Sequence, residues 1–277
     1  MADVKKTAAK VASTANPKKN SGHFWLNVGI IVVCMTITHV LFYFVFGADS
    51  NFRDAAHHEP ANMLGTIRQG GWVVPILMGT LLVCIAFVVE RGLTIFRSKG
   101  KMGNAEFIRK IQHHLANKNV QAALAECDKQ SGSVGNVMKA GLLKYGEMTT
   151  NTELDTDQKV AAIKKEIEET TSLELPILEK NLVFLSTISS AATLLGLFGT
   201  VLGMLRAFSA MAQAGAPDAN ALAAGISEAL VNTALGIGTS FIAVIAYNFY
   251  TTIIDNITYG IDESGFTLEQ TFLANYK

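Results

Sequence analysis

The stretch LEKNLVFLSTISSAATLLGLFGTVLGMLRAF, Leu178 to Phe208, contains no charged residue between Lys180 and Arg206. That interval exceeds the about 20 helical residues needed to cross a hydrocarbon core, so it predicts a membrane-spanning helix. Inside it, GLFGTVLGM places Gly196, Gly199, Gly203 and Thr200 where leucines would partition into lipid more readily. Apolar side chains drive no association between helices in lipid, and small residues let two backbones approach. Gly196, Gly199 and Gly203 are therefore expected to be helix-packing positions, together with Gly236 further along. Close packing does not account for Thr200.

The rest of the chain fits a membrane protein. Of 277 residues, 49% are hydrophobic and only 17% charged, with no net charge. Such a balance excludes an ordinary soluble composition and a basic nucleic-acid surface. Four spans are expected, at 24–46, 72–90, 182–211 and 221–254. Lysines 5, 6, 10, 18 and 19 precede the first, whose apolar run is too long for a signal peptide and lacks a clean cleavage site, so it is expected to be retained. With Arg91, Arg97, Lys99 and Lys101 after the second span, the positive-inside rule puts 1–23 and 91–181 in the cytoplasm. The segments 47–71 and 212–220, the latter around Pro217, then face outward, and the tail 255–277 returns to the cytoplasm.

Residues 91–181 hold 26 of the 46 charges. Phe107, Ile108, Ile111 and Leu115 recur at helical spacing behind an expected Asn104 cap, and Val120, Leu124 and Cys127 repeat the pattern. SGSVG at 131–135 reads as a break. Val160, Ile163 and Ile167 continue toward Pro176 and predict a helix running out of the membrane. Adjacent His113 and His114 point to different faces with no carboxylate or Cys at i+4, so they read as solvated, as do His57 and His58. Cys34, Cys84 and Cys127 suggest neither disulfides nor a metal site. No GxSxG, HExxH, GxxxxGK[ST] or CxxC motif occurs, and no enzyme activity, metal or cofactor is implied.

Polarity within the last two spans remains to be explained. Ser186, Ser189, Ser190, Thr193 and Thr200 share an arc of about 100° on one helix, with Arg206 opposite and free to snorkel. Glu228, Asn232, Thr233, Thr239 and Ser240 share roughly 140° on the next. Interhelical hydrogen bonds explain single hydroxyls. Two whole stripes are better explained by a polar path, and an ionisable Glu228 inside a span belongs to such a path or to a structural pair near the outer interface, with Arg206 of a neighbouring subunit as the candidate partner.

Leu178 to Phe208, followed by GISEALVNTALGIGTSFIAVIAYNFY at Gly225 to Tyr250, resembles the paired signature of the MotA/TolQ/ExbB proton-channel family, with VERGLTIFRSK after the second span a looser match. Within that family the resemblance is to ExbB and TolQ, and the first span looks like an extension. The resemblance implies an all-α integral membrane fold with helices extending into a cytoplasmic helical domain. It further implies a pentameric ring in a bacterial inner membrane around an ExbD-like single-span partner with a membrane Asp, and a TonB-like protein beyond. Family threonines map onto Thr200 and Thr233 and the family Glu onto Glu228. With Ser189, Thr193 and Asn232 these form the expected proton pathway. Thr193 and Ile242 replace family prolines, which implies straighter spans.

A proton-driven motor subunit of the ExbB type is the resulting expectation, with a TolQ-type or motility motor as the alternatives. A passive scaffold is the rival from another class. A secondary transporter is disfavoured, because the four spans show no repeat with matched helix interruptions.

Overall fold

The computed structural model describes residues 21–54, 59–213 and 219–276, and among these every regular element is helical. The N-terminal lysines, His57, His58 and Pro217 lie outside the described residues. Helix α1 (Ser21–Val40) continues as a π-helical turn, Leu41–Val45, and is followed by α2 (Met63–Arg68) and α3 (Val74–Ser98). Helices α4 (Asn104–Ala116), α5 (Val120–Gln130), α6 (Gly132–Thr150) and α7 (Thr156–Glu179) lead to α8 (Leu182–Gln213) and α9 (Ala219–Asn275). Among the described residues, four helical stretches are long and apolar enough to cross a membrane: Trp25–Val45, Val74–Ser98, and parts of Thr156–Ala212 and Ala219–Asn275. Thr193 and Ile242 both fall inside uninterrupted helix.

The chain divides into two compact units, Met1–Val83 with Phe198–Leu235, and Cys84–Leu197 with Gly236–Lys277. In the first, α1 packs on α3 where Gly79 leaves room for Met35 and Thr38. Polar side chains organise the connection that follows α1. Asn51 Nδ2 donates to the carbonyls of Val45 at 2.7 Å and Phe46 at 3.2 Å, satisfying acceptors that the helix end leaves open. Asn62 caps α2 by accepting from the Gly65 N–H at 3.1 Å, and its Nδ2 donates to Asn51 Oδ1 at 3.0 Å. The Arg68 guanidinium lies 4.6 Å above the Phe42 ring, a cation–π contact that ties α2 to the end of α1.

In the second unit, Phe107, Ile111 and Leu115 of α4, Met138, Leu142 and Tyr145 of α6, and Ile163 of α7 form a buried core. Helix α9 completes it. Gly141 faces Ile167 and Leu268, the Tyr145 and Phe272 rings meet edge-on at 5.0 Å, and Asn275 Nδ2 donates to the Leu115 carbonyl at 3.2 Å. A capping box at Asp155 and Gln158 starts α7.

Three local expectations change. Asn104 is not a cap: Gly103 precedes the helix without a side-chain bond, and Asn104 Nδ2 donates instead to the Asn256 carbonyl at 3.4 Å. The break at 131–135 narrows to Ser131 and Gly132, both at positive φ, and α6 starts at once. The helix expected to run through 176–182 is interrupted at Asn181, whose φ of 62° is left-handed, a conformation that Asn tolerates better than most side chains. Asn181 Nδ2 donates to Glu90 at 3.3 Å, and buried Arg91 binds Glu90 through Nε at 2.7 Å and the Ile177 carbonyl through Nη1 at 3.3 Å.

Candidate functional site

Within the first unit, α8 and α9 approach at backbone distance. A Cβ on Gly203 would lie 2.8 Å from the Ala229 nitrogen and the Gly225 carbonyl, and one on Gly199 would lie 2.5 Å from Asn232 Cβ. These separations exclude any larger residue without helix displacement, so the glycines set the spacing. Gly225, on the opposing helix, meets the Gly203 carbonyl in the same way.

That spacing brings two hydroxyls together at the half-buried edge of the seam. Thr200 and Thr233 hydrogen-bond through their Oγ1 atoms, and the Thr200 hydroxyl also lies 3.4 Å from the Ala229 carbonyl. Either threonine can be the donor. The pair can therefore exchange donor and acceptor roles by rotating O–H bonds, with no heavy atom moving, which is what a proton relay or a water-orienting site requires.

The other polar side chains of α9 in this unit turn elsewhere. Asn232 is fully buried, and its Nδ2 donates to the Gly70 carbonyl at 2.9 Å. It tethers the turn before α3 to α9 and stands apart from the Thr200–Thr233 edge. Glu228 is 5% exposed in its side chain and accepts from Arg206 Nη1 at 2.7 and 2.9 Å, one oxygen each. This Arg206 is on the same chain as Glu228. Gly71, at φ +78°, passes beside this pair: any Cβ there would collide with Glu228 Oε1.

Of the remaining expected site residues, Thr193 is exposed on α8, as are Ser186 and Ser190. Ser189 is half-buried and its carbonyl accepts from the Ser240 hydroxyl, while Thr239 is buried. In the second unit Gly236 sits against α8, its absent Cβ falling 2.6 Å from the Ala192 carbonyl and 2.8 Å from Gly196 Cα. Sequence inspection missed the Gly70–Gly71 turn. Paired glycines immediately before an apolar run were the available signal.

Helices long and apolar enough to cross a membrane, with a hydroxyl pair and an ion pair between two of them, define a polytopic membrane protein. Residues 129–263 match the MotA/TolQ/ExbB proton channel family. The chain is 33% identical over 196 residues to the Tol-Pal system protein TolQ of Pseudomonas aeruginosa, covering 69% of this chain and 83% of that one. It is 27% identical over 183 residues to the biopolymer transport protein ExbB of Neisseria gonorrhoeae, covering 65% and 80%. A third relative, ExbB of Helicobacter pylori, is 45% identical over 71 residues, 26% of this chain and 49% of that one. The chain belongs to the MotA/TolQ/ExbB proton channel family.

Proposed function

We propose that the protein is the stator-like, channel-forming subunit of a bacterial inner-membrane motor that turns proton motive force into mechanical work. In this reading it is a homopentamer with both termini and residues 91–181 in the cytoplasm. It surrounds an ExbD-like single-span partner whose membrane Asp carries the proton, and a TonB-like protein delivers the work to outer-membrane import. The observation that carries the proposal is the Thr200–Thr233 hydroxyl pair at an accessible edge of a glycine-set seam. Burying an ionised carboxylate is expensive, so a partner Asp must be neutral when it passes the apolar zone, and hydroxyls that can give or accept a hydrogen bond suit both of its states.

Glu228 is held by Arg206, which favours a structural role for it over proton carriage. The chain then lacks a free acid of its own near the middle of the membrane, and conduction depends on the partner. The test is proton flux into liposomes holding a trapped pH-sensitive dye. The protein alone should conduct poorly, and co-reconstitution with the partner should create the flux. Thr200→Val and Thr233→Val, which preserve shape and remove the hydroxyl, should abolish it with an unchanged oligomer in native mass spectrometry. Full flux in both variants rejects the relay.

The similarity to TolQ over 83% of its length favours a second reading, envelope maintenance, in which the ring is the same and the downstream protein differs. Disrupting the gene separates the two. Loss of energised outer-membrane import supports the first, and detergent sensitivity with intact import supports the second.

A further inference from the structure

Glu228 occupies only one corner of the Arg206 guanidinium. Both of its oxygens are bound by Nη1, while Nε and Nη2 hydrogen-bond to none of the described residues and the side chain is 52% exposed. The Nε–Nη2 edge carries two parallel N–H bonds, the fork that recognises carboxylate and phosphate in bidentate fashion. A guanidinium with that edge open is an anion site whose orientation is already fixed: Glu228 is buried and Gly71 packs beside the pair.

Its depth identifies the anion. Helix α8 begins at Leu182, directly after the polar residues Glu179, Lys180 and Asn181. About 20 residues of helix cross the hydrocarbon, so the far boundary falls near residue 202. Arg206 then stands about 6 Å beyond it, at 1.5 Å per residue, in the headgroup layer. Trp72 supports this placement: half-exposed, it meets the Phe198 ring edge-on at 6.4 Å. Phe198 precedes Arg206 by eight residues, about 12 Å of helix. An indole belongs at the hydrocarbon border, and the guanidinium lies on its watery side. At that level the abundant anion is a lipid phosphodiester.

We propose that the open edge of Arg206, oriented by Glu228, binds the phosphodiester of a phospholipid headgroup in the leaflet at the Gln213 end of α8. This rests on the membrane placement proposed above, under which that leaflet is the outer one, and it is independent of proton conduction. A lipid held there packs its chains along the exposed Leu205, Val201 and Phe198.

The experiment uses the full-length protein in detergent, with bound lipid counted by native mass spectrometry while dioleoylphosphatidylglycerol is titrated in. Dioleoylglycerol supplies the same chains without phosphate, and glycerol phosphate supplies the anion without chains. Two variants are compared. Arg206→Lys keeps the charge and the bond to Glu228 but has no fork. The double change Arg206→Gln with Glu228→Gln removes the ion pair without stranding a buried charge. Phosphatidylglycerol should bind the wild type about tenfold more tightly than either variant, the size of one charge-assisted hydrogen bond, and dioleoylglycerol should not distinguish the three. Equal binding of phosphatidylglycerol by wild type and double variant overturns the proposal. So does wild-type binding of dioleoylglycerol as tight as that of the phospholipid, or of glycerol phosphate, which would make the ligand a soluble phosphate. Loss of flux in the threonine variants with lipid binding intact, or the reverse, tells the two proposals apart.

Discussion

Arg206 and Glu228 are unequal partners, and their truncations should cost unequal amounts. Arg206→Ala leaves a carboxylate whose side chain is 5% exposed, beside Gly71 and without the Arg206 cation. Breaking a fully buried pair in this way costs about 3–5 kcal/mol. Because the lost partner was itself half-exposed, the lower end applies, about 3 kcal/mol. Glu228→Ala leaves a guanidinium already 52% exposed, which water and headgroups can solvate. That variant should lose about 1 to 2 kcal/mol, mostly as lost packing and hydrogen bonds. The double change Arg206→Ala with Glu228→Ala strands nothing, so it should match Glu228→Ala and be more stable than Arg206→Ala alone. Denaturant unfolding of all four proteins in one detergent, followed by circular dichroism, closes the cycle. A coupling energy of at least about 1 kcal/mol is expected, where independent sites add to within about 0.5 kcal/mol. Additive costs, or a Glu228→Ala loss larger than that of Arg206→Ala, would refute the assignment of the burial cost to Glu228.

Gly199→Ala should destabilise by about 1–3 kcal/mol through overpacking against Asn232, read as a lower unfolding midpoint. Phe272→Ala should cost about 3–5 kcal/mol by emptying the site against Tyr145, measured by the same unfolding. Burial pushes the Cys127 thiol up to about 12, so it stays protonated at pH 8 and should react with maleimide only after denaturation. The Lys129 ammonium bonded to Glu126 holds that carboxyl below its ordinary value. A folded-state value below the unfolded one stabilises the fold at neutral pH, and the benefit disappears as pH falls through the folded-state value. Glu126→Gln should therefore flatten the acid side of the stability profile, seen by thermal unfolding between pH 7 and 3.

Spans are legible because lipid imposes one coarse requirement, about 20 uncharged helical residues, and Leu182 to Leu205 meets it without reference to any neighbour. Small residues in a span stand out in the same way, and the close approaches at Gly199, Gly203 and Gly236 become visible only with both helices in place. Pairings are not, because a helical wheel gives the face of a residue without the helix opposite it. By wheel geometry Arg206 lies opposite the hydroxyl stripe near the outer interface, and the wheel leaves open whether it meets Glu228 of its own or of a neighbouring chain; its Nη1 reaches Glu228 on α9 of the same chain. Asn232 fell on the same arc as Thr233, yet the 100° between consecutive residues turns it to Gly70 while Thr233 meets Thr200. The Asn104 cap failed because the side chain found a long-range acceptor in Asn256. Helix beyond residue 254 carries charges that masked its buried Ile257, Ile261, Leu268 and Phe272.

Those last turns of α9 have a consequence for how the chain is made. The core around Leu115 and Tyr145 is finished by the end of α9, including Leu268, Phe272 and Asn275. The ribosome reaches Phe272 127 residues after Tyr145, roughly 6 to 25 s at 5–20 residues per second. During that interval α4 to α6, joined by α7 as it emerges, wait with an open apolar wall while the apolar segments of α8 and α9 are still being synthesised. Closure follows insertion of the final span, since the helix that closes the wall continues from it. Completion of this bundle thus doubles as a check on biogenesis: a chain stalled or misinserted at its last span keeps the Tyr145 and Gly141 face uncovered, in reach of chaperones and proteases that seek exposed apolar surface.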